Sequence, residues 1–198
     1  MNEGKIRVNI ENIIYFIDFK QNLKFKERDN EDFEGVENLS CTIFSFDDEK
    51  NKREGDSRDN AKSMVFPSGK VFLFGIKSSE EFEHIFWLLV KKLKENTTLK
   101  LNPNIDIEVE NILVSANLRR YLSKGDDENF EVNLEKLALK EKENAEYDPK
   151  KFPGIFLRIL PLGTAIVFRS GKVLVGDIKN IRDADIILER LIEKVRGL

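Results

Sequence analysis

Two short blocks that combine serine, glycine and lysine are the first candidates for chemistry. Residues 65–71 read Val-Phe-Pro-Ser-Gly-Lys-Val, and residues 167–173 read Val-Phe-Arg-Ser-Gly-Lys-Val. A serine hydroxyl and a lysine ammonium can both bind a phosphate oxygen. No glycine-rich loop with the spacing of a nucleotide site precedes either block, which argues against nucleotide binding. The blocks indicate instead two short connections between strands, each with a lysine at its end.

An asparagine flanked by apolar residues recurs in the same way. Ile-Glu-Asn-Ile-Ile at residues 10–14 returns as Val-Glu-Asn-Ile-Leu at residues 109–113, which pairs Asn12 with Asn111. Because both kinds of block occur twice in the same order, the chain is a duplicated unit. We predict a first repeat over residues 1–100 and a second over residues 105–198, joined by a short connector.

The residue types that most enzymes use are scarce. Cys41 is the single cysteine, so the sequence offers no internal disulfide and no multi-cysteine zinc site. His84, the single histidine, is typical of a structural or surface residue, and no acid cluster stands at metal-ligand spacing. The acidic run at residues 126–128 is typical of a solvated loop. We predict a protein that is not an enzyme, with no cofactor, no metal and no small-molecule substrate.

Charge and hydropathy limit the classes of partner that the protein can bind. With 33 Lys and Arg against 36 Asp and Glu, the formal net charge is −3, so nucleic-acid binding would depend on where the cations lie. The sequence contains no signal peptide and no apolar run long enough for a bilayer, which predicts a protein inside the cell with no membrane partner.

Helical periodicity marks the elements that must position these blocks. Residues 78–95 carry a capping pattern, Ser78 followed by Glu81, and then an apolar stripe. Residues 183–196 repeat the stripe, with Val195 among the inward positions and Gly197 as the stop. Residues 132–144 predict a third helix with Leu134, Leu137 and Ala138 buried. Residues 21–38 predict a poor helix or an irregular segment.

The predicted strands are apolar on successive residues, so both of their faces are apolar. Short connections at the Ser-Gly-Lys blocks imply antiparallel hairpins. Three or four helices can cover only one face of such a sheet, and the other face predicts a binding surface. The strands are residues 13–17, 64–66, 71–74, 112–116, 155–160, 165–168 and 173–175. Cations predicted at the rim are Lys70, Lys77, Lys150, Lys151, Arg158, Arg169, Lys172 and Lys179.

These residues together resemble a known family. Glu-Asn-Ile at residues 110–112, residues 144–154 (Asn-Ala-Glu-Tyr-Asp-Pro-Lys-Lys-Phe-Pro-Gly), Arg158 and residues 166–173 are similar, in order and spacing, to a repeat of the TATA-box-binding protein family. The first half resembles it through Asn12, residues 66–71 and Gly-Ile-Lys at residues 75–77. The resemblance covers nearly the whole chain, and the Phe-Pro-Gly block is closer to archaeal members.

The resemblance implies an α+β fold in which two tandem repeats form a saddle. It also implies a curved ten-stranded antiparallel sheet with helices on its convex face and DNA on its concave face. The resemblance further implies minor-groove binding in which apolar side chains wedge between base steps and kink the duplex. In an archaeon the protein would work at the nucleoid in the cytoplasm, and in a eukaryote in the nucleus.

Site residues follow from the resemblance, position by position. Phe152 and Phe168 match one wedge pair, and Phe66 with Leu39 the other, although each phenylalanine alone could be an ordinary core residue. The implied DNA-binding residues are Asn12, Ile14, Leu39, Met64, Phe66, Phe72, Phe74, Asn111, Leu113, Phe152, Ile166, Phe168 and Leu174. The implied phosphate contacts are Ser68, Lys70, Lys77, Arg158, Ser170, Lys172 and Lys179.

The implied partners are double-stranded AT-rich promoter DNA and transcription factor B. The latter would bind a surface that holds Tyr147, Asp148, Lys150 and Lys151. Several positions depart from the family pattern: Leu39 at a wedge, Ser45 for an arginine, bulky Phe72 and Phe74, Gly176-Asp177 for Thr-Gly, basic residues at 150–151 and a charged insertion at residues 47–63.

Three functions are compatible with these patterns. The first is a general initiation factor that kinks promoter DNA and recruits transcription factor B and RNA polymerase. The second is a divergent paralogue, a regulatory protein-interaction module with weak or altered DNA binding, which the departures favour. The third is an enzyme such as a nuclease, for which the two repeats leave no room.

Overall fold

The computed structural model describes residues 6–26, 41–46, 61–123 and 130–198. In these residues the chain forms nine strands, all paired antiparallel where their register is defined, and four helices, which confirms the predicted α+β class. The described residues thus hold one strand fewer than the ten that the family resemblance implied. The strands are β1 Val8–Asp18, β2 Thr42–Phe46, β3 Ala61–Val65, β4 Lys70–Ile76, β5 Asp106–Asn117, β6 Ala145–Glu146, β7 Gly154–Ile159, β8 Gly163–Phe168 and β9 Lys172–Ile178. The helices are α1 Ser79–Asn96, α2 Arg119–Leu122, α3 Leu134–Lys140 and α4 Ile181–Arg196.

The chain divides into two compact units. The first unit is Asn12–Glu110, and the second unit is Met1–Glu11 together with Asn111–Leu198. The strand order is β2-β3-β4-β1 in the first unit and β5-β9-β8-β7-β6 in the second. This division follows packing, whereas the repeats are defined by sequence similarity. The repeat boundaries at residues 1–100 and 105–198 therefore stay a prediction.

The first unit buries one face of its sheet against α1. Ser78 caps the helix, because its hydroxyl accepts from the Glu81 N–H at 3.1 Å, while the Glu81 carboxylate accepts from the Lys77 N–H at 2.7 Å. The Ser78 bond satisfies an amide donor that the first helical turn leaves free, and the Glu81 bond holds the residue before the cap against the helix. The helix buries Ile85, Phe86, Leu89, Val90 and Leu93 against Ile17, Val65, Leu73 and Ile76 of the strands.

The second unit repeats this arrangement with α4 and a short α3. Asn180 caps α4 by accepting from the Arg182 N–H, and the helix buries Ala184, Ile187, Leu188, Leu191 and Ile192. The prediction for Val195 was wrong: this residue is half-buried and lines an open cleft beside residues 121–123 and 130–133, and Ile192 is buried instead. The last turn of α4 therefore contributes less to the core than the sequence suggested.

Both Ser-Gly-Lys blocks form the tight turns of antiparallel hairpins, β3–β4 and β8–β9. Gly69 and Gly171 have φ values of 82° and 81°, a left-handed conformation that glycine adopts without a Cβ clash. Each turn is tied to the strand end of its own unit. The Gly69 carbonyl accepts from the Phe19 N–H at 3.1 Å, and the Gly171 carbonyl accepts from the Leu118 N–H at 2.9 Å.

The predicted third helix is shorter than residues 132–144, and α3 covers only Leu134–Lys140. Val132 lies outside it because its N–H donates to the Arg169 carbonyl at 2.8 Å. At the other end, the Asn144 carbonyl accepts from the Arg158 N–H at 2.8 Å, which draws residues 141–144 into a turn. Leu134 and Leu137 are buried as predicted, while Ala138 is half-buried.

Some elements were not predicted. These are β2, with Thr42, Phe44 and Phe46 buried, the two-residue β6 and the single turn α2. Residues 21–26 are irregular, as expected, apart from one bridge between Phe25 and Thr97, and residues 27–38 lie outside the described residues. Of the predicted insertion, residues 61–63 belong to β3 and residues 47–60 also lie outside the described residues.

Candidate nucleic-acid interface

The first unit has a half-buried apolar face opposite α1. Burial alternates along β1, β3 and β4, so the residues between the buried positions point away from the helix. Phe72 is the cross-strand partner of both Met64 and Phe16, which places the three side chains side by side. Ile14 and Phe74 occupy half-buried positions on the same strands. Five apolar side chains thus form a surface that no helix of this unit buries among the described residues.

The second unit has the corresponding face. Ile166 is the cross-strand partner of Phe156 on one side and of Leu174 on the other. Ile166 and Leu174 are half-buried, Phe156 is 37% exposed, and Leu113 on β5 is half-buried. The intervening positions Ala165, Val167, Val173 and Val175 are buried under the helices. An exposed apolar patch of this kind marks an interaction surface.

Phe152 and Phe168 lie together at one end of this second face. Their ring centroids are 5.8 Å apart, and Phe152 is 36% exposed. Gly154 makes this contact possible. A Cβ at that position would approach the Phe152 ring to 2.9 Å and the Phe168 ring to 3.1 Å. Glycine at this position of the Phe-Pro-Gly block therefore leaves room for the two aromatic rings to contact each other over the strand ends.

Phe66 is the one predicted wedge of the first unit that lies within the described residues. Phe66 follows β3 directly, is half-buried, and meets Phe72 edge to face with ring centroids 6.3 Å apart. Phe72 in turn contacts Phe16 at 5.4 Å. The predicted second wedge, Leu39, lies outside the described residues. The first face is therefore richer in aromatic residues than the second, which has Ser115 and Leu174 at the equivalent positions.

Asn12 and Asn111 are both half-buried, but their amides have different partners. Asn12 Oδ1 accepts from the Gly75 N–H at 2.7 Å. Asn111 Oδ1 is shielded from solvent and has no hydrogen-bond partner within the described part of the chain. A β-bulge follows each asparagine in its strand pairing. On the facing strands, Gly75 and Asp177 occupy equivalent positions and have positive φ values of 85° and 59°.

The predicted phosphate contacts are all exposed, and they follow the turns and strand ends. Lys70 and Lys172 begin β4 and β9, whereas Lys77 and Lys179 follow the ends of the same strands. Ser68, Ser170 and Arg158 complete the set. Arg158 lies on β7, at the position next to Leu157. Lysine and arginine at such edges can reach an anionic ligand seated on the apolar face without being buried themselves.

The predicted partner surface forms a turn before β7. The Asp148 carbonyl accepts from the Phe152 N–H at 3.0 Å, and the Asp148 carboxylate lies 3.4 Å from Lys151 Nζ. Lys150 is exposed. Tyr147 belongs to a different group, because its hydroxyl accepts from Arg169 Nη2 at 3.2 Å.

Arg169 was predicted to be a rim cation, but the structure pairs it with Glu135 of α3. The hydrogen bond from Arg169 holds the pKa of the Glu135 carboxyl below its usual range. Sequence alone did not pair these residues because 34 positions separate them. The pair, with Tyr147, ties the β8–β9 turn that follows Phe168 to α3.

Two residues of the apolar faces were missed by the sequence analysis, Phe16 and Phe156. Counting by two from Ile14 would have found Phe16, and the alternation of Ile155 and Leu157 would have found Phe156. The described residues hold no group of three or more His, Cys, Asp or Glu side chains suited to a metal ion. No helix in the described ranges is long and apolar enough to cross a membrane.

Comparison with known proteins gives a consistent result. A sequence model of the family "Transcription factor TFIID (or TATA-binding protein, TBP)" matches residues 106–198. A TATA-box-binding protein of Archaeoglobus fulgidus is 36% identical over 70% of each chain. TATA-box-binding protein 1 of Haloferax volcanii is 30% identical over 98% of this chain and 96% of its own.

The fold gives a further similarity. A solved structure of Methanococcus jannaschii TBP superposes with a TM-score of 0.72 at 24% sequence identity, covering 97% of this chain and 99% of that one. The duplicated hairpins, bulges and asparagines described above extend over both units, beyond the residues that the family model matches. From its sequence relatives and its fold, the chain belongs to the TATA-box-binding protein family.

Proposed function

We propose that the protein is a TATA-box-binding transcription initiation factor that binds AT-rich promoter DNA through the minor groove. The observation that carries this proposal is the half-buried apolar face in each unit, bordered by exposed lysines and arginines. Such a surface suits a ligand that is apolar within and anionic outside. A duplex opened at its minor groove has both properties.

The chemistry of the face favours A·T pairs. In the minor groove, A·T and T·A pairs present only acceptors, whereas a G·C pair adds the guanine amino group. Apolar side chains such as Ile166 and Leu174 offer that amino group no acceptor and leave it desolvated, which costs free energy. Asn12 and Asn111 can donate through their Nδ2 groups to adenine N3 or thymine O2. The readout is therefore of A·T against G·C content.

Phe152 and Phe168 are the proposed wedges of the second unit, and Phe66 with Leu39 those of the first. The exposed ring of Phe152 and its contact with Phe168 supply a rigid aromatic pair that can enter between base steps. Kinking by inserted side chains is known from the TATA-binding protein itself, and we extend it to this chain by family membership. Ser68, Lys70, Lys77, Arg158, Ser170, Lys172 and Lys179 would position the backbone.

Transcription factor B is the proposed protein partner, with RNA polymerase recruited through it. The turn at residues 147–152 is the proposed surface, where Asp148, Lys150 and Lys151 are exposed. Because Asp148 lies next to Lys151, the surface carries both signs of charge. In an archaeal cell the protein would act at the nucleoid.

A second candidate function is a regulatory protein-interaction module with weak DNA binding. The aromatic cluster of Phe16, Phe66 and Phe72 favours it, because these rings already contact one another in the first unit. Because Ser115 and Leu174 stand at the equivalent positions of Phe16 and Phe72 in the second unit, the first face presents more aromatic surface. A protein partner could dock on the cluster as it stands.

A gel-shift experiment separates these functions. Phe152→Ala with Phe168→Ala should weaken binding to an AT-rich box by roughly 30-fold or more, since loss of each aromatic contact to bases costs about 1–3 kcal/mol. Trp87→Ala is the matched control, because Trp87 is an aromatic residue of α1 that is 59% exposed. A GC-substituted box should bind more weakly than the AT-rich one. Equal binding of the two boxes, or unchanged binding by the double variant, would refute the proposed function.

A further inference from the structure

An open cavity of about 720 Å³ lies beside Phe168, and every residue that lines it belongs to the second unit. Three cations contribute to its wall, Arg7 from the start of the chain, Arg120 from α2 and Lys172 from β9. Glu11 is the one carboxylate among the lining residues, and it accepts a hydrogen bond from the Ser115 hydroxyl. The cavity is therefore a cationic recess next to a proposed wedge.

Because the sequence is duplicated, the residues that line this cavity have counterparts in the first unit. When residues 10–14 are aligned with residues 109–113, Arg7 corresponds to Asp106 and Arg120 corresponds to Gln21. Only the lysine of the Ser-Gly-Lys turn is common to both, as Lys70 and Lys172. Two arginines of the second unit are thus replaced in the first by an acid and a neutral amide.

The first-unit edge is acidic in the structure as well. Lys20 Nζ lies 2.6 Å from the Asp106 carboxylate and 3.1 Å from that of Asp18, so its charge is already neutralised. Asp18 corresponds to the neutral Asn117 of the second unit. Glu108, exposed two residues after Asp106 on β5, corresponds to Asn9. The carboxylates of Asp18, Asp106 and Glu108 thus have no counterpart in the second-unit cavity, where three cations stand with one carboxylate.

A phosphate diester responds to these two environments in opposite ways. A recess lined by three cations attracts the phosphate, because its positive electrostatic field is concentrated where the protein wall excludes part of the screening solvent. At the first-unit edge, the carboxylates repel the same group. The apolar faces of the two units are similar in character, but their electrostatic surroundings are not.

We propose that the cationic cavity binds a backbone phosphate of the duplex, and that Arg7 and Arg120 make the second unit the dominant source of electrostatic binding. The inference rests on the proposed DNA-binding function. Arg7 and Arg120 add to the contacts that the Ser-Gly-Lys turn would make. The first unit would then bind mainly through its apolar face.

A salt series tests this assignment. Each neutralised phosphate contributes about 0.9 to the slope of log K against log salt. Removal of one contact by Arg7→Ala with Arg120→Ala should therefore reduce the slope by about that amount. The affinity advantage of the wild type over this variant should shrink about three- to fourfold between 50 and 200 mM salt. Arg7→Lys with Arg120→Lys, which keeps the charge, should retain the wild-type slope.

Two further variants serve as controls. Lys136→Ala with Arg182→Ala removes two exposed cations from α3 and α4 and should leave the slope unchanged. Asp106→Asn with Glu108→Gln removes the repulsion at the first-unit edge and should strengthen binding, more at 50 mM salt than at 200 mM.

The outcomes separate this proposal from the function on which it rests. If the arginine and control pairs change the slope equally, the cavity has no special role and the proposal fails, while the wedge result still stands. If Phe152→Ala with Phe168→Ala leaves binding intact, the DNA-binding function itself fails. Circular dichroism of each variant verifies that the fold is retained.

Discussion

Replacement of Gly69 by alanine should destabilise the protein much more than the same replacement at Gly171. The two glycines occupy equivalent turns, with φ values of 82° and 81°. A left-handed conformation costs an L-residue about 1–2 kcal/mol, and this cost applies at both positions. Any difference between the two variants must therefore come from what surrounds the new methyl group.

The surroundings differ sharply. At residue 69 a Cβ would lie 2.0 Å from the Gln21 carbonyl oxygen, which belongs to the backbone and can move only if the turn moves. At residue 171 the nearest atoms are Cε1 of the Phe130 ring at 3.0 Å, the far end of a side chain that can rotate, and the Arg119 backbone nitrogen at 3.2 Å, which needs only a small shift. Overpacking costs about 1–3 kcal/mol, so Gly69→Ala should cost roughly 2–5 kcal/mol and Gly171→Ala about 1–2 kcal/mol.

Urea unfolding at neutral pH, followed by far-ultraviolet circular dichroism, measures both losses. The slopes should agree between variants, so that the midpoints report stability. Because the turn at Gly69 follows Phe66 directly, this variant should also lose affinity for an AT-rich duplex. Equal destabilisation by the two replacements would refute the reasoning, since the Gln21 carbonyl would then not determine the difference.

Three more predictions concern single side chains. Leu137→Ala, at a fully buried position of α3, should cost about 2–5 kcal/mol in urea unfolding, whereas Leu139→Ala, at a residue 77% exposed, should change stability by about 0.5 kcal/mol at most. Asp177→Gly should raise the unfolding midpoint slightly, because glycine adopts the left-handed φ of 59° without the cost to an L-residue, and an unchanged or lowered midpoint would contradict this. Arg169 lowers the pKa of Glu135, so the contribution of the pair is present above the unfolded pKa of about 4.3 and is lost as the pH falls through the lower folded value. The urea midpoints of wild type and Arg169→Met should therefore differ at pH 7 and converge in strong acid, and a gap that persists there would contradict the assignment.

Asn12 and Asn111 show that a repeated sequence pattern does not predict the hydrogen-bond partners of a side chain. Asn12 and Asn111 have nearly identical neighbours, and the duplication predicts equivalent roles for them. In the structure, Asn12 Oδ1 accepts from the Gly75 N–H, while Asn111 Oδ1 has no partner among the described residues. The residue on the facing strand also differs, since Gly75 is matched by Asp177, and contacts of this kind are set by packing across strands.

Sequence alone determined the features whose causes are local. The N-terminal cap of α1, the apolar stripes of α1 and α4 and the glycine turns of both hairpins depend on residues a few positions apart. The duplicated order of blocks can be read directly along the chain. These features were enough to indicate the α+β class and the resemblance to the family.

Only the tertiary structure decided how distant residues combine. Strand register and packing brought Arg7 to Arg120 and Lys172, Lys20 to Asp106, and Arg169 to Glu135. Long-range hydrogen bonds likewise set the ends of α3. Such pairings depend on which strands lie side by side and on which face each side chain occupies, and local preference fixes neither.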